Sequence, residues 1–210
     1  MSETVETAAD KKGWGVKEIV NAALFSVLTG AMLMVGAMFT VFNDAFAMIF
    51  SGPVGVLFAA PVYVLLVRRV DRFGVTTVFG ALFGVFIALT KGDLLLSLWY
   101  IVFAVLIDVI FVRTPAQRRK SGTVIGAWGM WSVVYVFGTL IPVFKDKQKY
   151  FDAMEQSQNY TAEYIAAFEH YWMNPMWVAI ILVISLVFGV LGAWFGTRMT
   201  RKHFEKAGVL

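Results

Sequence analysis

The stretch "SGPVGVLFAAPVYVLLVRRVDRFG", residues 51–74, decides the fold. It is apolar for long enough to cross a bilayer as a helix. Yet it holds Pro53 and Pro61 and halts on Arg68, Arg69, Asp71 and Arg72. A proline in the first turn of a helix costs nothing, because the N–H it lacks would have had no intrahelical acceptor. Ser51 is therefore predicted as the N-cap of a span with Pro53 in its first turn, which leaves residues 43–50 as an outer loop. Pro61 falls inside the helix, deprives the Leu57 carbonyl of its usual bond and predicts a kink near mid-span. The basic turn that follows reads as an orientation anchor on the cytoplasmic side.

Composition points the same way. The 210 residues are 59% hydrophobic and 15% charged, with a mean hydropathy of +0.72, against about half apolar and a quarter charged in a soluble domain. Too few polar residues remain to cover a water-facing surface, so the chain reads as an all-α integral membrane protein. The net charge of +4 forms no continuous basic face, and a nucleic-acid partner is not expected. With no cysteine, disulfides, iron–sulfur clusters and thiol chemistry are excluded. No cleavable signal is expected at the start: residues 1–10 are acidic, and the first apolar run far exceeds the about 7–15 residues of a signal core.

Apolar runs of about 20 residues fall at 19–42, 51–67, 75–89, 94–112, 123–144 and 175–195, the third short enough to need its flanks. Patterning gives no hint of a barrel, so six transmembrane helices are predicted in a single domain over residues 1–210. With the N-terminus inside, fourteen of the 18 Lys and Arg residues face the cytoplasm, and Lys91, Lys145, Lys147 and Lys149 remain outside. Every inner loop agrees with this bias, which makes both tails, 1–17 and 198–210, cytoplasmic. The long outer segment 145–173 carries Tyr160, Tyr164, Phe168, Tyr171 and Trp172 at helical spacing. It reads as an amphipathic helix, either anchored in the interface or lying as a lid over the outer face. Asn159 opens a formal glycosylation sequon that chance readily produces.

Within lipid, small residues four apart mark helix contact faces. Such faces occur at Ala22, Ser26 and Gly30, at Gly80, Gly84 and Ala88, and at Ser185, Gly189, Ala193 and Thr197. Internal packing is their plain use; a face left over would bind another membrane protein. Asp108 lies within the fourth run, five residues before Arg113, and pairing with Arg113 or Arg118 is expected. Towards the outside, Asn43 and Asp44 end the first run, and Trp99 and Tyr100 occupy the outer half of the fourth. Trp128, Trp131 and Tyr135 share one face of the fifth, while His170, Tyr171, Trp172, Asn174 and Trp177 flank the entry to the sixth. As a set these residues form a candidate small-molecule pocket, mostly apolar with a few orienting polar groups. No Walker A loop, H-E-x-x-H or G-x-S-x-G occurs, and the only histidines are His170 and His203. Enzyme activity is not expected, and any ATP-driven step must borrow its ATPase.

The run from residue 51 to residue 86 resembles the second and third helices of the substrate-binding S components of energy-coupling factor (ECF) transporters, most closely the Trep_Strep-type integral membrane proteins. Pro61, Tyr63, Arg68, Arg69, Arg72, Gly74, Gly80 and Gly84 carry the likeness, together with the opening "VKEIVNAALFSVLTGA" at residues 16–31. The resemblance implies a micronutrient-binding subunit of a bacterial cytoplasmic membrane with an outward-facing site. It would have no intrinsic cofactor, and it would dock on a transmembrane T component served by two cytoplasmic ABC-type ATPases that alone use ATP. It also implies a docking face on the first helix, where Ala22, Ser26 and Gly30 stand in for the Ala-x-x-x-Ala of the family. Arg68, Arg69 and Arg72, an orientation anchor first, would be second candidates for contact with the T component or its ATPases. The cargo is left open among vitamins, their precursors and metal-linked compounds; haem is one specific case, given His170 among outer aromatics. A self-contained secondary transporter or small channel, and a ligand-free assembly protein, are the competing readings; Pro53 and Pro61 would supply the broken helix of a carrier.

Overall fold

A computed structural model describes residues 13–156 and 160–204, and all regular structure among them is helical. Five long elements are α1 (Val16–Met38), α2 (Asp44–Val70), α3 (Val75–Lys91), α4 (Leu94–Phe111) and α6 (Ser121–Phe137), with the short α5 (Pro115–Arg119) before the last. A 3₁₀ turn, Gly138–Leu140, carries α6 into α7 (Ile141–Lys145). Two outer helices follow, α8 (Lys147–Gln156) and α9 (Ala162–Trp172), and then α10 (Pro175–Met199), which ends in a π turn. Five helical stretches are long and apolar enough to cross a membrane: α1, α2, α4, α6 with its continuation, and α10. With 17 residues, α3 is about 26 Å long by helical rise and falls short of a hydrocarbon core about 30 Å thick.

The start of α2 corrects the expectation for residues 43–50. They form no loop, and Ser51 caps nothing: the helix begins at Asp44 and runs for 27 residues. Asn43 is the N-cap, its side-chain oxygen accepting from the Phe46 N–H at 2.9 Å. Asp44 adds negative charge at the positive end of the helix dipole. The next residues are apolar and helix-compatible, and Phe46 and Phe50 stack at 4.6 Å along one face. Pro53 is consequently interior and buried. At the other end Asp71 closes the helix in the left-handed region, φ 45°, with its N–H on the Val67 carbonyl.

Two neighbours occupy the space that Pro61 creates. The Leu57 carbonyl, which the proline cannot bond, faces Gly192 of α10; a Cβ there would lie 2.7 Å from that oxygen. The Val56 carbonyl, one residue earlier, accepts the indole N–H of Trp128 at 2.9 Å. On its other side α2 meets α1 so closely that a Cβ on Gly36 would lie 2.8 Å from the Gly55 Cα. Such contacts put α2 at the centre of the bundle, against α1, α6 and α10. The small-residue face of α3 is used internally too: Cβ atoms on Gly80 and Gly84 would meet the backbone of α4.

The outer segment is two helices rather than one. Phe168 and Trp172 of α9 are buried, with Met154 of α8, against Met48, Val136, Leu140, Val143 and Ile181 of the bundle. Their rings turn inward to protein and not outward to lipid, so this segment roofs the bundle. Lys11, Lys12, Asn159 and Lys206 lie outside the described residues.

Candidate functional site: an aromatic column beneath an outer cap

The expected pocket residues separate into three places. Tyr100, Trp128, Trp131 and Tyr135 do come together, in a column that also holds Tyr63, Phe79 and Phe83. Tyr63 packs against Trp128 with the rings tilted and 4.6 Å apart, and its hydroxyl shares a 2.8 Å hydrogen bond with Thr76. Phe79 meets Trp131 at 4.9 Å. Phe83 sits edge-on to Tyr100 at 5.0 Å and to Tyr135 at 5.8 Å. The Tyr100 hydroxyl donates to the Tyr135 carbonyl at 3.2 Å, which ties α4 to α6. Trp128 and Trp131 are fully buried and form the packed interior of the column. The Trp131 indole N–H is buried without an acceptor among the described residues.

The second place is the cap. His170 is exposed and sits edge-on to Tyr171 at 4.8 Å, and Tyr171 is edge-on to Trp177 at 5.0 Å. Trp172 stacks over Phe168 at 6.2 Å, facing the bundle. Burial, with the neighbouring Tyr164 and Tyr160 hydroxyls, pushes the Tyr150 phenol up to about 12. Burial also raises Tyr164, helped by Tyr160 and by Asp44, which lies near enough to be felt across the α2–α9 contact. Asn43 and Asn174 are committed as helix caps, Asn174 accepting from the Met176 N–H at 3.0 Å. Each side-chain oxygen is therefore held in place by its own helix start.

Trp99 goes to the third place. It packs on Phe103 at 4.2 Å, donates its indole N–H to the Val134 carbonyl at 3.0 Å, and lines an apolar groove on the flank of α4. Tyr135 and Phe137 join the first two places, since both pack against the bundle core and against the core beneath the cap.

The opposite end of the bundle is held by charge. Asp108 does not pair with Arg113 or Arg118, as its position suggested. Its carboxylate accepts from the Thr76 N–H at 3.1 Å, and from the Thr77 N–H and hydroxyl, each at 2.6 Å. It thus caps the N-terminus of α3, whose own N-cap residue, Gly74, has no side chain to do so. Arg118, 2% exposed, is occupied by Asp71 at 2.9 Å and by the Val112 and Arg113 carbonyls. Arg119 bonds the second Asp71 oxygen at 2.8 Å. Arg72 reaches Glu18 at 3.4 Å, and Arg68 donates to Ser121 at 2.9 Å. Arg69 is exposed. On α1, Ala22 and Ser26 are buried by the chain's own helices, so they cannot present the expected docking face; Gly30 is half-buried and has open space beside it.

Tyr63, Phe79, Phe83 and Asp71 were missed by reading the sequence for sites. The signal available for Phe79 and Phe83 is their spacing, one turn apart beside the Gly80–Gly84 pair.

An all-helical bundle with an aromatic interior, a roof of amphipathic helices and a charged opposite end defines a multi-pass integral membrane protein. The family model for "Hypothetical bacterial integral membrane protein (Trep_Strep)" matches residues 16–206, and the chain belongs to that family. No curated protein and no solved structure matches it.

Proposed function

We propose that this protein is the substrate-binding S component of an ATP-driven ECF-type importer. It captures a vitamin, a vitamin precursor or a metal-linked micronutrient outside and delivers it with a T component and two cytoplasmic ABC-type ATPases. The observation that carries the reading is the junction at Tyr135 and Phe137, where the core under the cap meets the aromatic column. A ligand seated there would have ring faces below it, at Tyr135, Phe83 and Tyr100, and Phe168 and Trp172 above. Its few polar anchors would be tyrosine hydroxyls and the unpaired Trp131 N–H, the balance expected of a small-molecule site. A buried donor without an acceptor is costly, and a ligand carbonyl would satisfy it. The cap acts as the lid, closed in this structure, and its opening exposes the junction. The partner face is the exposed apolar side of α1 around Gly30, with Arg68, Arg69 and Arg72 at its cytoplasmic end.

Purification in mild detergent followed by native mass spectrometry tests this reading. Two ATPases, a T component and a bound small molecule should co-purify with the chain. A ligand-free homo-oligomer that moves solute without ATPases would overturn it. If the cargo is haem, added haem should give a Soret shift that His170→Ala reduces; an unchanged shift removes that case.

A further inference from the structure

We propose that the groove on the flank of α4 is a binding site for one anionic phospholipid, its acyl chain in the groove and its phosphate on Lys145. The groove has a volume of about 350 Å³ and runs along membrane-spanning α4, closed on the other side by α7. Leu98, Trp99 and Phe103 line it from α4, and Ile141 and Phe144 from α7. Lys145 is the charged residue at its edge. It ends α7 on the far side of the bundle from the arginines around Asp71, which places it at the outer headgroup level. Lys145 is exposed and forms no ion pair among the described residues.

Three occupants compete for such a surface, and the lining decides between them. A polar solute finds no hydrogen-bonding side chain there except the lysine, because Trp99 has already given its N–H to Val134. A partner helix wants small residues that let backbones approach, and the lining has no Gly, Ala, Ser or Thr. An acyl chain needs only an apolar trough, and a phosphate needs a cation where the trough reaches water. Leu, Trp, Phe and Ile with one terminal lysine supply both. The groove would hold its lipid whatever the cargo and whether or not the protein serves an ECF importer.

The test uses the full chain in phosphatidylcholine vesicles doped with brominated phosphatidylglycerol or, separately, brominated phosphatidylcholine. The Trp99 contribution to fluorescence is taken as the difference between wild type and Trp99→Phe. Brominated phosphatidylglycerol should quench it at about fivefold lower mole fraction than brominated phosphatidylcholine, the preference expected for one lysine against an anionic headgroup. Lys145→Gln should abolish that preference. Native mass spectrometry from mixed vesicles supplies a readout that needs no tryptophan substitution: wild type should retain one phosphatidylglycerol and Lys145→Gln should not. Equal quenching by the two lipids would overturn the proposal, as would a preference that survives Lys145→Gln. A dimer whose Trp99 is shielded from both lipids would assign the groove to a second copy instead.

Discussion

Asp108 sits within a membrane-spanning helix, where a carboxylate is usually taken as an ion or proton site. Here both of its oxygens are spent on the first turn of α3. Asp108→Asn keeps the shape but turns an amide N–H₂ towards donors. The expected loss is about 1–3 kcal/mol, the cost of a buried donor left unpaired, seen as a lower melting temperature in detergent. Lost uptake with unchanged stability would instead mark a proton carrier. The partner of this residue was not legible in the sequence, for a physical reason. Arg113 and Arg118 lie close along the chain, whereas Thr76 and Thr77 are 32 and 31 residues away and meet it only once α3 and α4 have packed. Trp99 teaches a related point. It and Tyr100 are adjacent on one helix, about 100° apart around the axis, so they do not face the same side. Tyr100 enters the column, and Trp99 is left on the flank.

At the scale of elements, α2 is the instructive case. Local chemistry points to Ser51-Gly52-Pro53 as its start, but Asn43-Asp44 is a second start signal eight residues earlier. Tertiary packing decides: Met48 is buried under the cap, and a Cβ on Gly52 would meet the Val136 side chain. The sixth span had one strong signal, Asn174-Pro175, and begins where it was expected. Where α2 crosses α10, Gly192→Val should push the helices apart and destabilise the bundle by about 1–3 kcal/mol, measured by unfolding in mixed micelles. Gly30→Val, beside open space on α1, should be near neutral for folding. The cap makes a pH prediction. Tyr150 titrates at about 12 when folded, against 10.0 as its ordinary value. The folded cap therefore holds its proton more tightly than the unfolded one, and stability is lost as pH rises from about 10 to about 12. Tyrosinate absorbance should show a late-titrating component that Tyr150→Phe lowers by one residue's share, with the cap loosening over the same interval.

For the whole molecule, the spans and the charge bias were legible because bilayer thickness and the positive-inside rule act on composition. The aromatic column was legible only in part, since Trp128, Trp131 and Tyr135 share a face of α6 but their partners come from α2, α3 and α4. The orientation is open to a direct check because the chain has no cysteine of its own. A membrane-impermeant maleimide should label Lys147→Cys in intact cells and Lys120→Cys only after permeabilisation; the reverse pattern would invert the topology. The capping of α3 by Asp108 has a consequence for how the protein is made. During synthesis α3 emerges while the carboxylate that completes its first turn is still inside the ribosome, and the helix is too short to span comfortably by itself. The two segments are therefore expected to enter the membrane as a hairpin, with α3 waiting at the insertion machinery for α4. A nascent chain truncated after Lys91 should integrate α3 poorly, one truncated after Phe111 should integrate both helices, and Asp108→Ala should restore the defect in the longer chain.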